Sequence, residues 1–143
     1  MFRYGETCWM EIPVKDAQRA IQFYRNVFEW NIHEEGYEQQ LEGIERVYFF
    51  SKGNFHGSFL LVPEDQFFDM SKAFAASSSD REKEGDDKIL WSVGNTFAVE
   101  DMDETLKKIT DSGGRIFRGM GSLAKFVDTE GNILALFSLQ VWD

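Results

Sequence analysis

The feature that most restricts how this chain can fold is a repeat within it. Val14-Lys15-Asp16 precedes one helical pattern and Val99-Glu100-Asp101 precedes another, 85 residues further on, and the same displacement lays Ile21 on Leu106. Later in each half, Gly57-Ser58-Phe59-Leu60-Leu61 lies on Gly131-Asn132-Ile133-Leu134-Ala135 at a displacement of 74, the smaller value reflecting loops of different length. A pattern used twice is most simply two copies of one supersecondary unit.

The unit itself reads β-α-β-β-β. Thr7 to Val14 predicts a strand, with Pro13 near its end, where a missing donor is tolerated. Asp16 can cap a helix whose apolar face is Ala17, Ala20, Ile21, Tyr24, Val27 and Phe28. Asn31 to Glu35, Ile44 to Ser51 and Gly57 to Val62 are shorter strand-like runs between glycine-bearing turns. In the second half, Ile89 to Val99 reads as a strand, and Asp101 with Glu104 forms a D-x-x-E capping box ahead of Met102, Thr105, Leu106 and Ile109. Gly113-Gly114 closes that helix, and Arg115 to Arg118, Leu123 to Val127 and Asn132 to Leu139 follow as strands. Between the halves the pattern fails from Pro63 to Lys88, which predicts a connecting loop with one helical turn and a mobile tip at Ser77-Ser78-Ser79 and the charged run Asp80 to Lys88. The expected organisation is one domain over 1–143, with module one at about 5–62, the connection at about 63–88 and module two at about 89–140.

Composition narrows the function classes. With 143 residues, 43% of them hydrophobic, the chain is long enough for a sizeable core. A single cysteine, Cys8, excludes an intramolecular disulfide and a thiolate metal cluster, and no export signal or membrane span is apparent, so a cytoplasmic protein is expected. Cys8 itself reads as a small buried residue, since no histidine is placed to activate it. A formal charge of −10 repels phosphate backbones, which argues against nucleic acid and is compatible with plain solubility or with steering of a cation. Aromatic residues make up 15% of the chain, which fits an aromatic-lined cavity, an oligomer interface, or simply a core. Gly119-x-Gly121 opens no helix and so cannot present a phosphate site, and Asp80 to Asp87 lacks the spacing of a calcium loop.

Glu11-Ile12-Pro13-Val14-Lys15-Asp16, Ala20-Ile21-Gln22-Phe23-Tyr24 and Val27-Phe28-Glu29-Trp30 together resemble the opening of the vicinal oxygen chelate superfamily, the group of glyoxalase I, bleomycin-resistance proteins and extradiol dioxygenases. Phe126-Val127-Asp128-Thr129-Glu130-Gly131-Asn132 resembles its closing strand-turn-strand. The resemblance implies an α+β fold in which two paired β-α-β-β-β modules curve a mixed sheet around a central cavity, and it implies a homodimer. It leaves function open, because metal-dependent isomerases, lyases and dioxygenases share the scaffold with metal-free drug-binding proteins.

In the metal-dependent members, four strands each aim a His, Glu or Gln at a divalent ion. Matching on the V-x-D element and the final Asp-x-x-Gly turn places those positions at Trp9, Leu61, Gly94 and Ala135, none of which offers a lone pair. His33 and His56 fall on no matched position, so no metal and no other cofactor is expected.

Strand alternation then gives a cavity lined by Trp9, Glu11, Phe59, Leu61, Gly94, Thr96, Ile133, Ala135 and Phe137, with Met10, Ile12, Leu60, Val62, Val93, Phe97, Leu134 and Leu136 packed beneath the helices. Whether His56 joins Glu11 at the cavity stays open at this stage. The expected function is binding of a small organic molecule, cationic or aromatic, between Trp9 and Phe59 or Phe137, with Glu11 as polar anchor. The alternative is a divalent-metal lyase, isomerase or dioxygenase. A metal-free enzyme with Glu11 as base would need an oxyanion donor, for which Thr96, Asn95 and Asn132 are the candidates.

Overall fold

In the computed structural model of the protein, residues 2–74 and 91–139 are described. The chain divides into two compact units, one running up to Phe68 and the other from Asp69 onward.

The first unit is organised by helix α1 (Ala17–Phe28). Asp16 stands in extended backbone and its carboxylate accepts the Arg19 N–H at 3.1 Å, which satisfies one of the free donors of the first turn. The helix buries Ala17, Ala20, Ile21, Phe23, Tyr24 and Val27. Its partner is a five-stranded mixed sheet of β1 (Met10–Val14), β2 (Asn31–Ile32), β3 (Tyr37–Leu41), β4 (Ile44–Lys52) and β5 (Phe55–Leu61). The order is β1-β5-β4-β2, with β3 also paired to β4; β1 runs parallel to β5 and the other pairs are antiparallel. The core beneath α1 is aromatic: Trp30 stacks on Tyr24 at 4.8 Å and on Phe50 at 4.6 Å, and Phe50 meets Phe59 at 4.7 Å. At Gly57 the strands β1 and β5 approach so closely that a Cβ would lie 2.3 Å from the Met10 carbonyl oxygen.

The second unit repeats the plan. Asp101 accepts the Glu104 N–H at 3.0 Å and opens α2 (Met102–Asp111), which buries Met102 and Ile109. Gly113, at φ +100, ends that helix as its sequence predicts. The sheet has β6 (Thr96–Ala98), β7 (Arg115–Met120), β8 (Leu123–Val127) and β9 (Ile133–Phe137) in the order β6-β9-β8-β7, with β6 parallel to β9.

Four features depart from the sequence expectations. Tyr37–Leu41 is a strand, paired to β4 through Tyr37–Val47 and Glu38–Arg46, although its polar composition gave no strand signal. The strand expected over Ile89 to Val99 is reduced, among the described residues, to Thr96–Ala98. Within the connection, Glu64–Gln66 forms a 3-10 turn and residues 70–74 are helical; the serine run, the charged run to Lys88, and Ile89 lie outside the described residues. The fourth is register. Ile12 faces Phe59 in the first sheet and Phe97 faces Leu136 in the second, so the displacement that relates β5 to β9 is 77 and not 74. Among the described residues no helix is long and apolar enough to cross a membrane.

Candidate ligand-binding site

Alternation along β1 turns Ile12 and Val14 into the core, so Trp9 and Glu11 turn to the face away from α1. Glu11 lies opposite Ser58 of β5, Ser58 opposite Phe49 of β4, and Val47 opposite both Leu60 and Tyr37. These residues therefore share one face of the first sheet, and it is rich in rings. Trp9 meets Phe49 edge-to-face at 5.8 Å, and Tyr37 meets Phe49 at 5.4 Å. The rings remain 44%, 37% and 57% exposed for Trp9, Phe49 and Tyr37, an apolar surface larger than scattered single side chains would make.

Trp9 is held in place. Its indole N–H donates to the Ser58 hydroxyl at 3.1 Å, and Ser58 is 2% exposed beneath it. Beside this wall Glu11 is exposed and, among the described residues, has no ion pair. His56, two residues before Ser58, shares the face and is exposed, with its ring edge-on to Phe2 at 6.4 Å. Glu11 and His56 therefore both lie on the helix-distal face of the first sheet.

Phe59 and Leu61 do not. Phe59 is fully buried against Tyr24 and Phe50, and Leu61, opposite Val14 and Arg46, has the same parity. Leu60 has moved the other way, from the expected core to the open face. The displacement of 74 is three residues short of the observed 77, and an odd slip exchanges the faces of a strand. Cys8, expected to be buried, is exposed and free. The sequence reading also missed Phe49, Tyr37 and Ser58. In β4 the run Val47-Tyr48-Phe49-Phe50 is apolar on both faces and carries no alternation from which a side could be chosen.

In the second unit Gly94, Thr96, Ala135 and Phe137 keep the expected parity: Thr96 lies opposite Ala135 and Ala98 opposite Phe137. Thr96 is exposed, while Gly94 and Ala135 border a pocket with Phe117 and Lys125 whose volume is about 20 Å³, room for a water-sized group. Asn132 is buried in a turn, its side-chain amide donating to Asp128 at 3.1 Å.

A divalent ion does not fit this donor set. Trp9, Gly94 and Ala135 supply no side-chain lone pair suited to one, and Ser58, which register puts in the place read as Leu61, already accepts the Trp9 indole N–H. Among the described residues no three His, Cys, Asp or Glu side chains cluster as ligands. An opening of about 650 Å³ on the first unit, at the β3–β4 hairpin, has Glu38, Glu42, Glu45 and Arg46 around Leu41, Ile44 and Leu61. It holds no aromatic ring, and Arg46 there is tied to the Glu35 and Gly36 carbonyls, so the Trp9 face is the better-built site.

Comparison with known proteins sets this geometry in context. The sequence pattern of the Glyoxalase/Bleomycin resistance protein/Dioxygenase superfamily matches residues 8–135. No curated protein matches the chain in sequence. Among solved structures, the trypanothione-dependent glyoxalase I of Leishmania major superposes with a TM-score of 0.62 at 15% identity, covering 96% of this chain and 88% of that one. TnmS3, an antibiotic binding protein from Streptomyces sp. CB03234, gives 0.59 at 14% identity over 96% and 98% of the two chains. The fosfomycin resistance protein FosX from Mesorhizobium loti gives 0.63 at 13% identity over 94% and 92%.

Proposed function

Because the chain belongs to the Glyoxalase/Bleomycin resistance protein/Dioxygenase superfamily, a scaffold that hosts both enzymes and binding proteins, we propose that it binds a small organic cation, without a metal ion, on the helix-distal face of its first sheet. The observation that carries this reading is the Trp9–Phe49–Tyr37 wall, with the indole fixed on Ser58. A ring clamped by a hydrogen bond loses little further freedom when a ligand stacks on it, so more of the contact energy appears as affinity. Glu11, on the same face and without an ion pair among the described residues, selects positive charge, and the cation over an aromatic face gains about 0.5–2 kcal/mol more. One protein of similar fold, TnmS3, carries an antibiotic-binding name, which is compatible with sequestration as the class of activity. The reading places the protein in the cytoplasm, in keeping with its one free cysteine.

Titration with benzyltrimethylammonium, followed by the Trp9 indole N–H signal and by calorimetry, tests the proposal. Trp9→Ala should weaken binding about tenfold or more, and Glu11→Gln should remove the preference for this probe over neutral benzyl alcohol. Chelator should leave both affinities unchanged. Wild-type affinity in both variants, or binding that requires added zinc, nickel or manganese, overturns it.

A further inference from the structure

The second unit carries a charge arrangement of the opposite sign. Lys125 of β8 and Arg118 of β7 are register partners, two cations side by side on adjacent strands, an arrangement that ordinarily costs stability. Both are half-buried, and among the described residues neither forms a salt bridge, although acids outnumber bases in the chain by 25 to 15. Each rests on a ring instead: Lys125 Nζ lies 4.6 Å from the Trp91 centroid, and the Arg118 guanidinium lies 5.4 Å from that of Phe117. Lys125 also borders the small pocket with Ser92, Phe74, Phe117, Gly94 and Ala135. Two neighbouring cations that have no carboxylate partner among the described residues make a place where an external anion relieves their repulsion.

We propose that Lys125 and Arg118 form a subsite for the carboxylate of an apolar or aromatic molecule. The pocket beside Lys125, about 20 Å³, has room for a group the size of one carboxylate oxygen. The guanidinium offers two parallel N–H donors and the ammonium a third, which suits a planar monoanion. Phe74 and Phe117 line the pocket and Trp91 lies against Lys125, so the rest of the ligand meets apolar surface. The site lies wholly within the second unit and does not depend on the cation site of the first.

The test uses benzoate as probe and its neutral isostere benzamide as control, with the Trp91 indole N–H signal, assigned through Trp91→Phe, as readout. Benzoate should shift that signal saturably in the millimolar range while benzamide leaves it unmoved. Lys125→Met, which keeps the apolar stem, should weaken benzoate about tenfold, Lys125→Arg should retain it, and Arg118→Gln should weaken it by a similar factor. Ala135→Leu, which narrows the pocket and leaves both cations in place, should also reduce affinity. Equal response to benzamide, undiminished binding in Lys125→Met, or no saturable shift overturns the proposal.

Discussion

Asp128 shows how much one side chain can organise. Its Oδ1 accepts the backbone N–H groups of Glu130, Gly131 and Asn132 at 2.8, 2.9 and 2.9 Å, and its Oδ2 takes the Asn132 amide. With Glu130 2% and Asn132 6% exposed, those donors have little water to turn to. Asp128→Ala should therefore destabilise the protein by about 3 kcal/mol or more, read as a lower urea midpoint, because several buried donors lose their acceptor together. Asp128→Asn keeps an acceptor and gives up the charge, so about a third to a half of that loss is expected. Equal losses for the two variants would mean that the charge, and not the number of acceptors, holds the turn. The Asp-x-x-Gly signature was legible in the sequence because the motif is local: Gly131, at φ +118 and packed against Asp69, is the one residue type its backbone readily accepts. The fixing of Trp9 by Ser58 was not legible, since 49 residues separate them and only the register of β1 on β5 brings them together.

Elements were readable wherever their signals lay within a few residues. Both helices start at the aspartates that the repeated V-x-D marks, with Asp16 on Arg19 and Asp101 on Glu104. The first strand kept its parity because Glu11 breaks the apolar run and identifies the open side. In β5 the polar His56 and Ser58 mark the open side, but Phe59, Leu60 and Leu61 are equally apolar, and the choice of face rested on a displacement that a three-residue slip inverts. β3 escaped because Glu38-Gln39-Gln40 carries the composition of a loop, and its place in the sheet comes from cross-strand pairing to β4. The corrected faces separate two properties. Phe59→Ala should cost about 3–5 kcal/mol in equilibrium unfolding, since a fully buried ring among Tyr24, Trp30 and Phe50 leaves a cavity. Its affinity for benzyltrimethylammonium under native conditions should remain within about 0.5 kcal/mol of wild type, because ring and site lie on opposite faces of β5. A loss of affinity as large as that of Trp9→Ala would return Phe59 to the binding surface.

At the scale of the whole molecule, the charge of −10 acts on both sites at once and with opposite effect. The field of the folded chain draws an organic cation toward the protein and repels a carboxylate, whatever the local partners Glu11 and Lys125 contribute on contact. Raising ionic strength from about 0.01 M to about 0.1 M contracts the screening length from about 30 Å to about 10 Å, which removes much of the long-range part and leaves the contact part largely intact. The association rate of benzyltrimethylammonium should then fall several-fold while that of benzoate rises, both followed by stopped-flow fluorescence. Glu11→Gln should speed dissociation of the cation and leave the salt dependence of its association nearly unchanged, because one charge in ten is a small part of the field. If both association rates fell with salt, the charges adjoining each site would govern approach, and the acidity of the chain as a whole would have no part in selecting its ligands.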